Sequence, residues 1–565
     1  MTEINITKRK NVYSYILIGI LGLLLFIRVR YGFDQSDESH YYALAKRFCN
    51  GDIPFIHEWH PSQFFAILLC PFYLFYTHFV PSGDGVILAG RYAYVAMQII
   101  VSLYLLHILK DKKYSWQVVV LYLMCSRQNI PGLSYYNLFL TGCIVAVLSL
   151  VHYWEKGEDV IYVVVAGVGI SVATICMPFL AIGVAIFTVV SLLHKKNKML
   201  GGFWGAIVLC AVIYIGVLLQ LASLSDYLAS IKYVILNPTH TGTSMAKVIR
   251  TLLQIGKSCI LGVPGLIYLL IRLKKISIHK EDYPVVFEAK DDIVFIASLF
   301  ACGLIPFGAI VKPGNLYINL TVLSIPYILK EMMNFKYHRD KANLEGIVLY
   351  LTGLFIAFLF WLGSDTNATC LPLGLLISVV GIIMIIQDSF SKNNEIAFIV
   401  VLILFAILAR LCGPTFRDNY WWKLDTKIEY GPAKGLYTEK ADAEEYYSVC
   451  ELIDKCEEQY QKEELKNKKI LITAFLPWGY LYSDCQNASY TTWTAPLSSS
   501  LLVEYYDLHP DRFPDIVLVI SDDYGNINGL DGGGKIYPYN PKEGIVWERI
   551  KNWKCVDSGV GKIYL

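Results

Sequence analysis

The chain has 565 residues, 55% of them hydrophobic and only 17% charged, with a formal net charge of +2. That much apolar material exceeds what a soluble protein of this size uses, and it predicts a polytopic α-helical membrane protein. The near-balanced charge gives no sign of a nucleic-acid partner or an acidic tail, so no nucleic acid is expected among its partners.

The first stretch, MTEINITKRKNVYSYILIGILGLLLFI, places basic residues before an apolar run with no small-residue cleavage site behind it. It reads as a retained signal-anchor with a cytoplasmic N-terminus. Runs of about 20 apolar residues cross a bilayer core of roughly 30 Å. About thirteen are expected before residue 413, centred on 12–29, 88–109, 114–130, 135–153, 160–177, 179–193, 203–222, 251–271, 292–311, 315–329, 346–363, 370–387 and 396–411. A further apolar piece, 64–80, decides the orientation. If it spans, the basic clusters KDKK (110–113), HKKNK (194–198), IRLKK (271–275) and KYHRDK (336–341) all fall outside. If it is juxtamembrane or re-entrant they all fall inside, where Lys and Arg accumulate. The second reading is adopted. It turns the acid-rich loop 31–63, the NPTHTG loop near 237, KPGN at 312 and everything after 412 to the outside of a multi-pass cell-membrane protein.

From Gly413 the composition becomes soluble, and a second domain, 413–565, is expected beside the transmembrane domain 1–412. Tyr446, Val449, Ile453, Cys456 and Tyr460 recur at helical spacing. KKILITAF and PDIVLVI are short β-branched runs bounded by turn residues, as in a buried parallel sheet. A small extracytoplasmic α/β domain fits. DGGGK (531–535) lacks phosphate-loop spacing and reads as a glycine turn. Most of the fourteen cysteines lie in apolar runs and act as small hydrophobes. Cys450 and Cys456 are six apart on one helix, roughly 9 Å at about 1.5 Å per residue, and cannot bridge. A bridge between Cys485 and Cys555 stays open, and no CxxC pair suggests zinc.

The chemistry is concentrated in YGFDQSDESHYYALAKRFCNGDIPFIHEWHPSQF, residues 31–64, directly behind the first span. A carboxylate at a membrane surface serves as a general base if it reaches an acceptor hydroxyl, and Asp37 or Glu38 is the candidate. The bland alternative is a solvated acidic loop. Tyr41, Leu44, Ala45 and Phe48 share one helical face, as in a helix lying on the membrane surface. His40, His57, Glu58 and His60 raise the question of a divalent metal, with His57 and Glu58 as ligands. Their spacing is not that of a zinc helix, and Pro61 argues against a regular helix there, so orientation of the loop or the acceptor is the competing role.

The order of these features resembles the GT-C class of membrane glycosyltransferases, in particular the protein O-mannosyltransferase and lipid A aminoarabinose transferase group. Members carry an acidic DE motif with nearby aromatics after the first span, an HPP motif before a short helix, and an Arg heading the second full span. Here Asp37-Glu38, His60-Pro61 and Arg91 match, and KPGNLYINLTVLSIPYIL (312–329) is similar to the basic-aromatic start of a late span. The chain departs at Ser62, where HPP has its second Pro, and at Asn137, where relatives often have an acidic residue. The resemblance implies transfer of a sugar from a polyprenyl-phosphate donor to an acceptor hydroxyl on a glycan, lipid or protein at the outer face. It implies Asp37 as base, with Glu38 beside it. Asp34, His40 and His60 would organise loop or acceptor, and Arg91 would contact the donor phosphate, with Lys257 and Lys312 as further cations. Lys257 reads equally well as a snorkelling side chain. A flippase of lipid-linked sugars and a non-catalytic envelope scaffold with a partner-binding C-terminal domain are the rival expectations.

Overall fold

The computed structural model describes residues 2–565 apart from 158, 236–244, 280–282, 305–312, 474, 494–496, 498, 521–543 and 558–560. Lys312, the NPTHTG loop and the DGGGK turn lie outside the described residues.

The apolar runs form helices in the expected order. They are α1 (Thr2–Arg28), then α2 (Asp37–Cys49), α3 (Gln63–Ala66), α4 (Cys70–Phe79), α5 (Val86–Ile108), α6 (Ser115–Met124), α7 (Tyr135–Lys156), α8 (Val160–Cys176), α9 (Leu180–Leu193), α10 (Asn197–Leu221) and α11 (Leu224–Ile235). Next come α12 (Met245–Cys259), α13 (Val263–Ile276), α14 (Ala289–Leu304), α15 (Pro313–Leu323), α16 (Ile325–Tyr337), α17 (Leu344–Leu362), α18 (Pro372–Ser389) and α19 (Lys392–Cys412). Among the described residues six helices are long and apolar enough to cross a membrane: α5, α7, α10, α17, α18 and α19. Proline explains several shorter ones. The run 251–271 breaks into α12 and α13 around Pro264, and 315–329 breaks between α15 and α16 at Pro326. A proline ring sits well in a first helical turn and cannot continue a turn before it. Likewise 64–80 is split, with Pro71 opening α4. α6 stops at Met124, and residues 125–134 form a loop instead of completing the expected run to 130.

Beyond α19 lie β1 (Thr426–Lys427), β2 (Tyr437–Thr438), α20 (Lys440–Glu457), α21 (Lys462–Leu465), β3 (Lys469–Ile472), α22 (Pro477–Tyr482), β4 (Gln486–Asn487), α23 (Ser500–Leu508), β5 (Ile516–Ile520), α24 (Ile545–Ile550), β6 (Cys555–Asp557) and β7 (Gly561–Tyr564). A five-stranded sheet runs β4-β3-β5-β7-β6, parallel on its β4, β3 and β5 side and antiparallel through β7 and β6. KKILITAF and PDIVLVI supply the parallel neighbours β3 and β5, with Ile470 opposite Ile516. α20 buries Tyr446, Val449, Ile453 and Cys456, while Tyr460 lies past its end. Cys485 and Cys555 are both free thiols. Cys485 precedes β4 at one sheet edge and Cys555 opens β6 at the other. Four strand spacings put them about 19 Å apart, far beyond bridging range.

Residues after 412 share one hydrophobic core with the helices and with loop 31–63. Phe33 is the hinge pin of that packing, 5.5 Å from the Tyr446 ring and 6.4 Å from Trp478 between centroids. The backbone adds to it: Gly32 N donates to Tyr437 O and Tyr437 N to Arg30 O, each at 2.8 Å. Gly32 holds φ +92°, and a Cβ there would strike the Thr415 side chain, so glycine is required twice over.

Candidate functional site

Asp37 and Glu38 open α2, and their neighbours give them different surroundings. Asp34 caps the turn before them: its carboxylate accepts from Ser36 N at 3.0 Å, Ser36 Oγ at 2.7 Å and Glu38 N at 3.0 Å. This is the work of an Asx-turn residue, satisfying amide donors that a helix start leaves open. Asp34 therefore organises the loop and is fully buried.

Glu38 is also fully buried and meets Arg91 in a fork, with Nε at 3.0 Å from both oxygens and Nη2 at 2.6 Å from Oε2. Arg91 Nη1 donates to Val29 O and Gly32 O, each at 2.8 Å. Arg91, expected to grip a phosphate, instead spends its donors pinning the end of α1 to α2. Gly132 makes room for this pair, since a Cβ there would lie 2.2 Å from Glu38 Oε1.

Asp37 differs from both. It is half-buried, and no hydrogen bond to its carboxylate occurs among the described residues. Desolvation pushes its carboxyl up to about 6; Asp34 and Asp365 add to the rise, and the guanidinium groups of Arg417 and Arg127 oppose it. Two arginines that sequence reasoning missed thus face the expected base. Arg127 stands in the loop 125–134 and is 5% exposed. Its guanidinium carbon lies 3.8 Å from the Tyr136 ring centroid and 5.7 Å from that of Phe416. Its Nε and Nη1 have no hydrogen-bond partner among the described residues. Arg417 donates to Ser36 Oγ and lies against Phe416 and Phe475, 5.0 and 5.2 Å from their centroids. Both are carried by costly backbone: Gln128, Asn129 and Arg417 have φ of 48°, 59° and 57°. Such left-handed conformations persist only where surroundings over-determine them.

Asn137 explains part of that support. Its amide donates to Ile130 O at 3.0 Å and Gly132 O at 2.8 Å, holding the Arg127 loop. An ionised carboxylate at this position could donate neither bond. Ser62 has a comparable logic. Its hydroxyl lies 2.8 Å from His40 Nε2 and 2.6 Å from His60 Nδ1, bridging two imidazoles that are themselves 3.3 Å apart. His40 Nδ1 meets Thr492 Oγ1 at 2.8 Å, and Trp493 packs on both rings. Trp493 and Phe475, 4.3 Å apart, continue this wall to Arg417, so residues after 412 line the approach to Asp37.

His57 and Glu58, the expected metal ligands, turn to separate partners. Glu58 pairs with Arg47 at 2.8 Å and accepts from the backbone N–H groups of His60 and Thr492. His57 Nδ1 accepts from Ile53 N at 2.9 Å and faces Arg512 at 3.2 Å. Among the described residues no three His, Cys, Asp or Glu side chains converge as a metal site requires. Burial pushes Glu58 up to about 7 against the pull of Arg47. His57 is driven down to about 4 by burial, with Arg512, Arg47 and His509 adding to the fall and Asp52 opposing it. Lys257 is exposed on α12 and has no ion pair among the described residues, which fits a side chain extended from the helix surface. No protein-family model matches the chain, and no curated protein is similar to it.

Proposed function

We propose that this protein is a membrane glycosyltransferase of the GT-C type. It moves a sugar from a polyprenyl-phosphate donor to an acceptor hydroxyl at the outer face, with thirteen spans and an outward unit formed by residues 413–565. One observation carries the reading: Asp37 is a half-buried carboxylate without a hydrogen bond among the described residues, beside two arginines, at the head of a loop otherwise locked in place. A base and cations held together match what glycosyl transfer needs. The acceptor O–H gives its proton to the carboxylate as the new O–C1 bond forms, and the C1–O bond to phosphate breaks with its electron pair on the leaving phosphate. A carboxyl near 6 is ionised at neutral pH yet still basic enough to take that proton.

The test is transfer of radiolabelled sugar from a panel of polyprenyl-phosphate donors in reconstituted membranes. The parent chain should transfer or hydrolyse one donor, and Asp37→Asn at matched expression should lose at least a hundredfold. An active Asp37→Asn chain would move the base elsewhere.

A second reading, movement of lipid-linked sugar across the bilayer, draws on α5. Tyr94 Oη, Gln98 Oε1 and Ser102 Oγ lie buried along one face without partners among the described residues, near Arg410, whose Nη1 donates to Asn129 Oδ1 while its Nε and Nη2 stay open. Movement of donor between leaflets with no donor consumed would favour it.

A further inference from the structure

We infer that Arg127, and not Arg91, takes the donor phosphate, and that the apolar groove lined by Trp361 takes the chain behind it. The inference rests on the glycosyltransferase reading and names the donor contacts of the same site.

Arg91 has its charge met by Glu38 and its donors met by two carbonyls. Arg127 has neither. A buried guanidinium with two open N–H groups is costly unless something anionic completes it. Asp37 is the carboxylate that acts on it, and no hydrogen bond joins the two among the described residues. The open Nε and Nη1 lie on different edges of the planar guanidinium, so anionic oxygens meet them from two directions. Arg417, half-buried and across Phe416, can reach the same anion from the other side.

The direction of the chain follows from what packs behind Arg127. Its guanidinium covers Tyr136, and Tyr136 and Tyr135 lie 5.9 and 6.2 Å from Phe360 on α17. Next along α17, Trp361 lines a groove of about 290 Å³ between α12, α15, α17 and α18. Its walls are almost wholly apolar, among them Leu252, Ile255, Val322, Leu354 and Phe358. Beside Trp361, Lys247 donates to Trp361 O at 2.5 Å and to Ser364 O, and Asp365 acts on both Lys247 and Asp37. A cationic head site one aromatic layer from an apolar groove suits one ligand chemistry, a phosphate monoester or diester on a long hydrocarbon chain. In the transfer step the C1–O bond breaks, its electron pair stays on the phosphate oxygen, and Arg127 meets the charge that develops there.

Binding of sugar-free polyprenyl phosphate to the full chain in nanodiscs tests this, with inorganic phosphate and a short-chain prenyl phosphate as further probes. Arg127→Gln should weaken polyprenyl phosphate tenfold or more, Arg91→Lys less than threefold, and Arg127→Lys, which keeps the charge but loses the spread of planar donors, should fall between. Leu252→Trp, at an exposed position on the groove wall, should weaken the long-chain ligand and leave the short-chain one and inorganic phosphate unchanged. Parent-like affinity in folded Arg127→Gln or Arg127→Lys, with binding intact in the parent, overturns the Arg127 assignment. An unaltered long-chain affinity in Leu252→Trp overturns the groove. A parent chain that neither binds polyprenyl phosphate nor consumes its sugar esters overturns the glycosyltransferase reading itself, and the inference with it.

Discussion

Desolvation lifts the Asp37 carboxyl to about 6, while the adjacent Glu38 is locked against Arg91, so two neighbouring acids have different prospects. If Asp37 is the base, only its ionised form works. The transfer rate should climb with pH through about 6 and level off above it, because deprotonation supplies the active form. Arg417→Gln removes the strongest opposing cation and should move that rise to higher pH; an unmoved profile would mean that another group titrates. The Glu38 and Arg91 pair predicts a stability effect instead. Removing one partner of a fully buried pair leaves an uncompensated charge at a cost of about 3–5 kcal/mol. Arg91→Gln or Glu38→Gln alone should lower the apparent Tm strongly, and the double variant should recover part of the loss. Additive losses in that cycle would argue against the pairing.

Elements decide what the cysteines and histidines can do. With Cys485 and Cys555 at opposite edges of the sheet, reductant should leave the melting of the protein unchanged. Of the four cysteines after 412, only Cys555 is exposed, and it alone should react quickly with a maleimide in the folded protein. A reductant-sensitive Tm would show a pairing the fold does not allow. The junction between loop 31–63 and α23 carries a pH signal of its own. Unfolded His57 would titrate near 6.5 and the folded one near 4, so the unfolded chain binds more protons in that window and stability falls as pH drops through it. Glu58 works the other way, since its raised value favours the protonated folded state and lends stability that is lost as pH rises from about 4.5 to 7. At this junction the two oppose each other, and His57→Asn should grow more stable relative to the parent as pH falls from 6.5 to 4; parallel curves would rule this out. The same scale shows what the sequence made legible. Strands β3 and β5, helix α20 and the order of apolar helices follow from periodicity and composition, which are local properties. The polar loop stood out as the candidate place of chemistry because charge is conspicuous in an apolar chain. The placement of Arg127, Arg417 and Trp493 beside it was not legible, because each reaches the loop from a distant segment. Their only local signal is a cation or an aromatic beside glycine and proline turns, in SRQNIPGLS and CGPTFRDN. The partner of Arg91 was hidden for the same reason, since nothing in its own segment announces the Glu38 carboxylate 53 residues earlier.

At the scale of the whole molecule, residues 413–565 complete the loop rather than hang beside it. Arg28 at the end of α1 donates to Leu411 O at 3.0 Å and Gly413 O at 2.7 Å, which ties the start of the chain to the end of α19. Lys46 donates to Leu481 O at 2.9 Å and Ser483 O at 2.6 Å, and Arg47 donates to Ser489 O at 2.7 Å. Arg512 completes Asp52 at 2.5 Å, and Thr492 serves His40 and Glu58. Each buried group deprived of its partner costs about 1–3 kcal/mol, and ending the chain at 412 would strip at least four at once. That sum rivals the entire stability of a typical domain, about 5–15 kcal/mol, so loop 31–63 should not hold its form alone. Trypsin reads this out, because Lys46 and Arg47 sit on α2 inside the packed junction of the full chain. In detergent, where sidedness plays no part, the full chain should resist cleavage at 46 and 47, while a 1–412 chain is cut there early and its helices persist. Early cleavage at these sites in both chains would mean that α2 is held by the membrane helices alone, and that the C-terminal unit is an appendage to a site already formed.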